Sequence, residues 1–333
     1  MRQIVVNEQL DELEVHPPHV YENLVELCIS SAQELLERSN DFIDLSACPA
    51  CESKEIEHAF DKHGYVYWSC QLCSTLFVSP RPSKASLDWY LFDSPSAVFR
   101  RSDEYCLGME SRFAELAAYR ANWITELYKR VNSNSQGPIV DLETRIPDYL
   151  IELEQKHLSP VIAAKPLTKP INKYKTTPDL VTLKDENASI VSAFEIIEHQ
   201  TDPLDLVQNS YEALSPGGLL VITTRSSSGF DIQVLWEQCA TIFPIEHINL
   251  LSVEGMKILL NRAGFELLEI STPGQLDVQM IEKELTEKED IQIPRFLRYF
   301  FTYRDQFAKH NLQQFLQENL LSSYMRVVAR KVT

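Results

Sequence analysis

The sequence predicts an α/β protein: a doubly wound, mostly parallel sheet, with a metal-binding module before it and a helical insertion near its end. Three observations predict it. After residue 138, short apolar runs alternate with amphipathic stretches. Upstream stand two Cys-x-x-Cys pairs at the spacing of a metal knuckle. Downstream, residues 274–322 break the alternation with helical stretches, and one last apolar run, Tyr324–Lys331, follows.

The alternating region reads in order. Ile139–Leu142 is a strand and Asp148–His157 a helix, with Pro147 suited to its first position. Val161–Ala164, Leu180–Leu183 and Ile190–Phe194 are apolar runs of buried-strand length. Asp202 and Pro203 supply the cap and first residue of a helix that turns Leu204, Val207, Tyr211 and Leu214 inward. Pro216-Gly217-Gly218 turns the chain into the strand Leu219–Thr224. Ser252 caps a helix that stops at Gly264, and Phe265–Ile270 is the next strand. In the insertion, Arg295–Tyr303 and Asp305–Asn319 read as helices, and the charged run 282–290 reads as a solvated helix face.

Ahead of this region, residues 20–37 carry Val20, Leu24, Leu27 and Leu35 at helical spacing. Residues 110–131 form a longer helix with Phe113, Leu116, Ala117, Ile124, Leu127 and Val131 on one face. The polar stretch Asn132–Pro138 marks a boundary. The expected organisation is therefore a helical segment over 1–40, a metal module over 41–82, connecting helices over 83–135, the α/β domain over 136–272, and the insertion with the final strand over 273–333.

A net charge of −17 opposes binding to phosphate backbones, so nucleic acid is not an expected partner. The longest apolar runs are too short to span a bilayer, and the first residues turn acidic before any apolar stretch of signal-peptide length. Seven cysteines, four of them in metal spacing, point to a reducing cytoplasm rather than a disulfide framework.

Cys48-Pro49-Ala50-Cys51 and Cys70-Gln71-Leu72-Cys73 lie 18 residues apart. Each pair places two thiolates on one side of a tight turn, and two such turns can surround one Zn²⁺ tetrahedrally. Four thiolates leave no open coordination position, so the expected zinc is structural. His58 and His63, between the pairs, are expected at the surface. Cys28, Cys106 and Cys239 have no partner pattern and are expected to pack as small apolar residues, and Tyr90 and Tyr105 likewise to serve packing.

Several segments of this chain resemble the class I S-adenosylmethionine-dependent methyltransferases. Ile190–Pro203, with Glu198-His199 and Asp202-Pro203, resembles that family's fourth-strand motif. Residues 214–224 (LSPGGLLVITT) resemble the turn into its fifth strand, and residues 247–270 the helix and strand that follow. The cysteine module and the ending SSYMRVVARK resemble the sugar C-methyltransferases of polysaccharide and antibiotic-sugar pathways. The resemblance implies a Rossmann-like fold. It also implies that His199, Glu246 and His247 bind and deprotonate a sugar, a His–carboxylate pair being a suitable general base.

The departures fall on the cofactor side. The family follows its first strand with D-x-G-x-G-x-G; here Asp141 is kept, but Glu143, Arg145 and Pro147 replace all three glycines. Glycine there supplies positive φ and close backbone approach to the ligand. Lys165 stands where the family places the acid that accepts the ribose hydroxyls, and an ammonium has no acceptor to offer a diol. Ser189 replaces a common Asp before the fourth strand. Asp141, Glu143, Arg145 and Lys165 thus mark a cofactor site expected to bind S-adenosylmethionine poorly. Arg145 and Lys165 are read as charges on an emptied pocket, with a new anion site as the alternative. The expected function is a methyltransferase-like protein of a sugar or polysaccharide pathway with a structural or binding role, its partner a nucleotide-linked sugar or another protein. The alternative is an active methyltransferase acting on a nucleotide-linked sugar or other small molecule.

Overall fold

The computed structural model describes Val5, Lys184 and residues 18–38, 40–131, 137–142, 147–158, 161–164, 175–177 and 186–332 apart from Glu289. Glu143, Arg145, Lys165 and the predicted strand Leu180–Leu183 lie outside the described residues.

Helix α1 (Pro18–Arg38) leads into β1 (Phe42–Ile43) and then the cysteine module. There β2 (Ile56–Lys62), β3 (Tyr65–Cys70) and β4 (Leu76–Val78) form an antiparallel sheet. His63 and Gly64 join β2 to β3, both in the left-handed region at φ 50° and 88°, as a two-residue hairpin turn requires. The short β5 (Arg81–Pro82) pairs with β1. Four helices follow: α2 (Lys84–Phe92), α3 (Pro95–Arg100), α4 (Asp103–Gly108) and α5 (Glu110–Tyr128). Ser83, Ser94 and Ser102 cap the first three, each side-chain oxygen accepting a backbone N–H of its helix's first turn.

The large sheet begins with β6 (Ile139–Asp141), followed by α6 (Pro147–Gln155), β7 (Val161–Ala164), β8 (Lys175–Thr177) and β9 (Ala188–Phe194). A single turn of 3₁₀ helix, Ile197–His199, precedes α7 (Pro203–Ala213) and β10 (Leu214–Arg225). Then come α8 (Phe230–Leu235), β11 (Asn249–Leu250), α9 (Val253–Arg262) and β12 (Phe265–Ser271). The predicted insertion is α10 (Asp277–Glu287), α11 (Arg295–Tyr303) and α12 (Gln306–Glu318), and β13 (Tyr324–Lys331) closes the chain.

The strand order is β8-β7-β6-β9-β10-β13-β12. Only β13 runs antiparallel to its neighbours; the pairings from β8 to β10 are parallel. This is the doubly wound, Rossmann-like sheet that the sequence predicts. The chain moves outward in opposite directions from β6 and β9, so the topological switch point lies between Asp141 and its register partner Ser192.

Both faces of the sheet are covered. Ile139, Ile190, Val221 and Val328 pack against α5 and α6 through Ala121, Ile124, Leu150 and Leu153. Val191, Leu220, Ile222 and Val327 pack on the other side with Val207, Met256 and Leu260. Cys48, Cys70 and Cys73 belong to that second core, so the cysteine module is continuous with the α/β domain. Beyond this packing, β11 pairs with β4 and adds a fourth strand to the module's sheet. Gly264, at φ 86°, ends α9 where the sequence predicts its stop.

The charged run 282–290 is not wholly a solvated face. Glu284 is buried, with Lys288 one turn on at 2.5 Å, because it falls on the same side of α10 as the buried Met280 and Ile281. Two buried carboxylates tie helices to the sheet, Asp277 of the insertion and Asp231 of α8. Asp277 accepts from Gln313 Nε2 (3.0 Å), from the Ser322 hydroxyl and from Ser323 N–H (2.7 Å). Arg225 at the end of β10 pairs with the buried Asp231 at 2.8 Å.

The module and the domain also meet at Arg81, which is fully buried. Its Nε donates to Val78 O (3.1 Å), one terminal nitrogen to Thr201 O and Asn249 Oδ1 (both 2.9 Å), and the other to Ile248 O (3.4 Å). Asn249 in turn donates to Ile197 O (3.2 Å) and Gln200 O (2.7 Å). Replacing Arg81 by Met removes the donor from Thr201 O and Asn249 Oδ1 in a buried site, while Ile248 O keeps the Val78 N–H. We expect Arg81→Met to cost about 3 kcal/mol or more in denaturant unfolding. Arg81→Lys should recover only a minor part, since an ammonium cannot serve a planar fork of acceptors. A loss under about 1 kcal/mol in the Met variant would remove this network as a major stabiliser.

Candidate functional site

A cleft of about 750 Å³ opens at the carboxyl ends of β9, β10 and β12. That is the edge where open α/β sheets bind ligands. His199, Glu246 and His247, the three residues predicted to carry chemistry, all line it. They come from the turn after β9 and from the segment before β11, and each is buried.

The two histidines share one neutral tautomer but commit different ring nitrogens to the backbone. His199 Nε2 lies 3.1 Å from Glu195 O, an acceptor only, so Nε2 carries the proton and Nδ1 the lone pair. The Nδ1 of His247 accepts the backbone N–H of Phe243 at 3.1 Å, which puts the proton of the neutral ring on Nε2. His199 thus commits its N–H to the backbone and His247 its ring lone pair, and the Nδ1 of His199 is itself buried. His247 also stacks on Phe243, ring centroids 6.0 Å apart, and its carbonyl accepts from Tyr67 of the module (3.1 Å). The Glu246 carboxylate accepts from Arg100 at 2.7 Å. Arg100 also reaches the Cys28 sulfur on α1 at 3.3 Å, and burial pushes the Cys28 thiol up.

Two further cleft residues escaped the sequence reading. Glu195 adopts φ 57°, a left-handed conformation that costs a non-glycine residue roughly 1–2 kcal/mol. Its backbone N–H to Thr223 O (2.8 Å) and its carboxylate to Arg120 (2.6 Å) hold it there. Arg120 is buried on α5, over the Phe194 ring at 4.7 Å, and the Glu195 charge raises its pKa against the cost of burial. Glu195 stands inside the fourth-strand motif, which was its one available signal. Arg120 falls on the apolar face of a predicted helix, where an arginine reads as an edge residue. The neighbouring Glu198 accepts from the Thr224 hydroxyl at 2.8 Å.

On the cofactor side, Asp141 is buried at the switch point and accepts from the Ser192 hydroxyl at 2.7 Å. Ser189 binds backbone at the other end of the same strand, with Gly137 N–H donating to its hydroxyl at 2.7 Å. His58 lies at the surface beside Asp61, as expected. Cys28 and Cys239 are buried, while Cys106 is half-buried.

The sulfurs of Cys48, Cys51, Cys70 and Cys73 all lie within 4.8 Å of one another and could hold a metal ion. Cys48 and Cys73 are 3.7 Å apart, and Cys51 and Cys70 are 3.5 Å apart. A tetrahedron with metal–sulfur bonds of about 2.3 Å has edges of about 3.8 Å, so the four thiols fit a tetrathiolate site.

Residues 112–270, slightly under half of the chain, match the family model described as "Methyltransferase domain". No curated protein sequence matches the chain. Among solved structures, it is similar to a SAM-dependent methyltransferase from Archaeoglobus fulgidus at 16% identity and TM-score 0.42, over 69% of this chain and 100% of that one. A possible histamine N-methyltransferase from Thermotoga maritima gives 16% identity and TM-score 0.41, over 70% and 98%. The [4+2]-cyclase SpnF gives 13% identity and TM-score 0.41, over 65% and 81%. The assignment of a methyltransferase-like domain rests on the matched segment and on the strand order, not on these distant structures.

Elemental analysis of the purified protein should find about one metal ion per chain. Cys70→Ser should lose it and unfold more than about 5 °C lower, because metal binding at such sites is part of the folding free energy. A metal-free protein with unchanged melting temperature would refute the site.

Proposed function

We propose that this protein is a methyltransferase-like member of a sugar or polysaccharide pathway. In this reading it has lost competent S-adenosylmethionine binding and serves by binding a ligand or a protein partner. The observation that carries the reading is the replacement of all three loop glycines by Glu143, Arg145 and Pro147, in the segment that leaves the switch point at Asp141. Side chains at such positions occupy the space a cofactor's backbone contacts need, and proline removes a donor. Lys165 adds a cation on the ribose side, unfavourable for a sulfonium. The pathway rests on the resemblance of the cysteine module and the C-terminal strand to sugar C-methyltransferases. For the metal site the proposed occupant is Zn²⁺, held by Cys48, Cys51, Cys70 and Cys73. Its four soft donors leave no open position, which makes it structural.

A second reading, an active methyltransferase on a nucleotide-linked sugar or other small molecule, is favoured by one observation. His199, Glu246 and His247 share one cleft at the sheet's carboxyl edge. In that reading His199, Glu246 and His247 bind and deprotonate the substrate, a histidine serving as the base.

Calorimetric titration with S-adenosylmethionine separates the two. The first reading expects no saturable heat; binding in the micromolar range overturns it. Were binding found, His199→Ala should slow methyl transfer by about 100-fold or more with the fold intact by circular dichroism. Unchanged transfer in that variant would remove His199 as the base.

A further inference from the structure

The cleft has two unlike halves. Its floor, at the strand ends, is polar and carries Glu195, Glu198, His199 and Glu246. Its outer walls are α1 and the first half of α5. From α5, Met109 (the residue before the helix), Arg112, Phe113 and Leu116 stand at i, i+3, i+4 and i+7 and share one face toward the cleft. From α1 come Leu24 and Val25. An apolar wall of this extent is more than a bare sugar ring requires, and the volume of about 750 Å³ suits a larger ligand.

The charges narrow the ligand further. Four arginines line the cleft: Arg100, Arg112, Arg120 and Arg225. Three are ion-paired within the protein, to Glu246 at 2.7 Å, Glu195 at 2.6 Å and Asp231 at 2.8 Å. Among the described residues, Arg112 has no carboxylate at ion-pairing distance. It feels Glu195 and Glu115 only from farther off, and burial lowers its pKa. A half-buried guanidinium without a partner is a desolvation cost that an incoming anion would offset. One such cation suits one negative charge. A diphosphate would bring at least one more, and would meet the carboxylates of the floor.

We propose that the cleft binds an amphiphilic organic monoanion of the carboxylate class. Its apolar body lies against Leu24, Val25, Met109, Phe113 and Leu116, and its carboxylate pairs with Arg112. The inference rests on the reading of a retained ligand cleft and sets the class of that ligand.

The test is calorimetric titration of the full chain with decanoate, decanol and UDP-glucose. Decanoate should bind saturably and more tightly than the other two. Arg112→Gln, at a half-exposed position that leaves the core intact, should weaken decanoate about 10-fold or more and change decanol less than about 2-fold. Leu24→Asn should weaken both alkyl probes. The proposal is overturned if decanoate does not bind, if Arg112→Gln binds it as well as the unaltered protein, or if UDP-glucose binds more tightly. S-adenosylmethionine binding would remove the loss of the cofactor site without touching this result, and failure of decanoate would remove only the ligand class.

Discussion

The buried guanidinium of Arg81 is the constraint on which the arrangement of this molecule depends. It sits, fully buried, where the cysteine module hands the chain on to the helices. Burial pulls its pKa down to about 10, so at neutral pH it remains charged and must be satisfied by hydrogen bonds alone. The acceptors come from three separate places: the end of β4, the stretch after His199, and the stretch after His247. Those last two segments carry the residues that line the cleft. The fork geometry of arginine fixes all three against one another, and Asn249 extends the same lattice to Ile197 and Gln200. The cysteine module is thus a positional support for the cleft, although none of its four clustered cysteines lines it.

Much of the framework was legible in the sequence, for reasons that are local. Ser252 and Asp202-Pro203 cap helices where the chemistry of capping and the fixed φ of proline demand it. Two cysteine knuckles announce themselves by spacing, and β13 runs from Tyr324 to Lys331 as the apolar run implies. What was not legible depends on distant partners. A buried arginine looks like a surface arginine until its acceptors are known, which is why Arg81 and Arg120 passed unnoticed. The two-residue β11 has no periodicity to read, yet it completes the module's sheet. In the charged run, only the packed face of α10 reveals that Glu284 points inward.

The site divides the same way. The motif after the fourth strand located His199, and its family counterpart located Glu246 and His247. Their roles were not in the motif. The Glu246 carboxylate meets Arg100, 146 residues away in the chain, and the His247 ring nitrogen meets a backbone N–H four residues back. Which ring nitrogen of each histidine is committed is therefore decided by hydrogen-bond partners that sequence alone does not disclose.

Helix α5 explains how such a scaffold can keep its fold while its chemistry drifts. Its second half packs Ala117, Ala121, Ile124 and Leu127 under the sheet, where a lost methyl group is felt as instability. Its first half turns Arg112 to the cleft, while Phe113 and Leu116 both line the cleft and pack against the edge of that core. In a D-x-G-x-G-x-G loop the glycines serve a ligand's close approach rather than the core, and Glu143, Arg145 and Pro147 stand at those positions in this sequence. Pro147 even suits the start of α6. Folding and cofactor binding therefore make separate demands on this segment, and the proposed loss of the cofactor site would leave the demand of folding met.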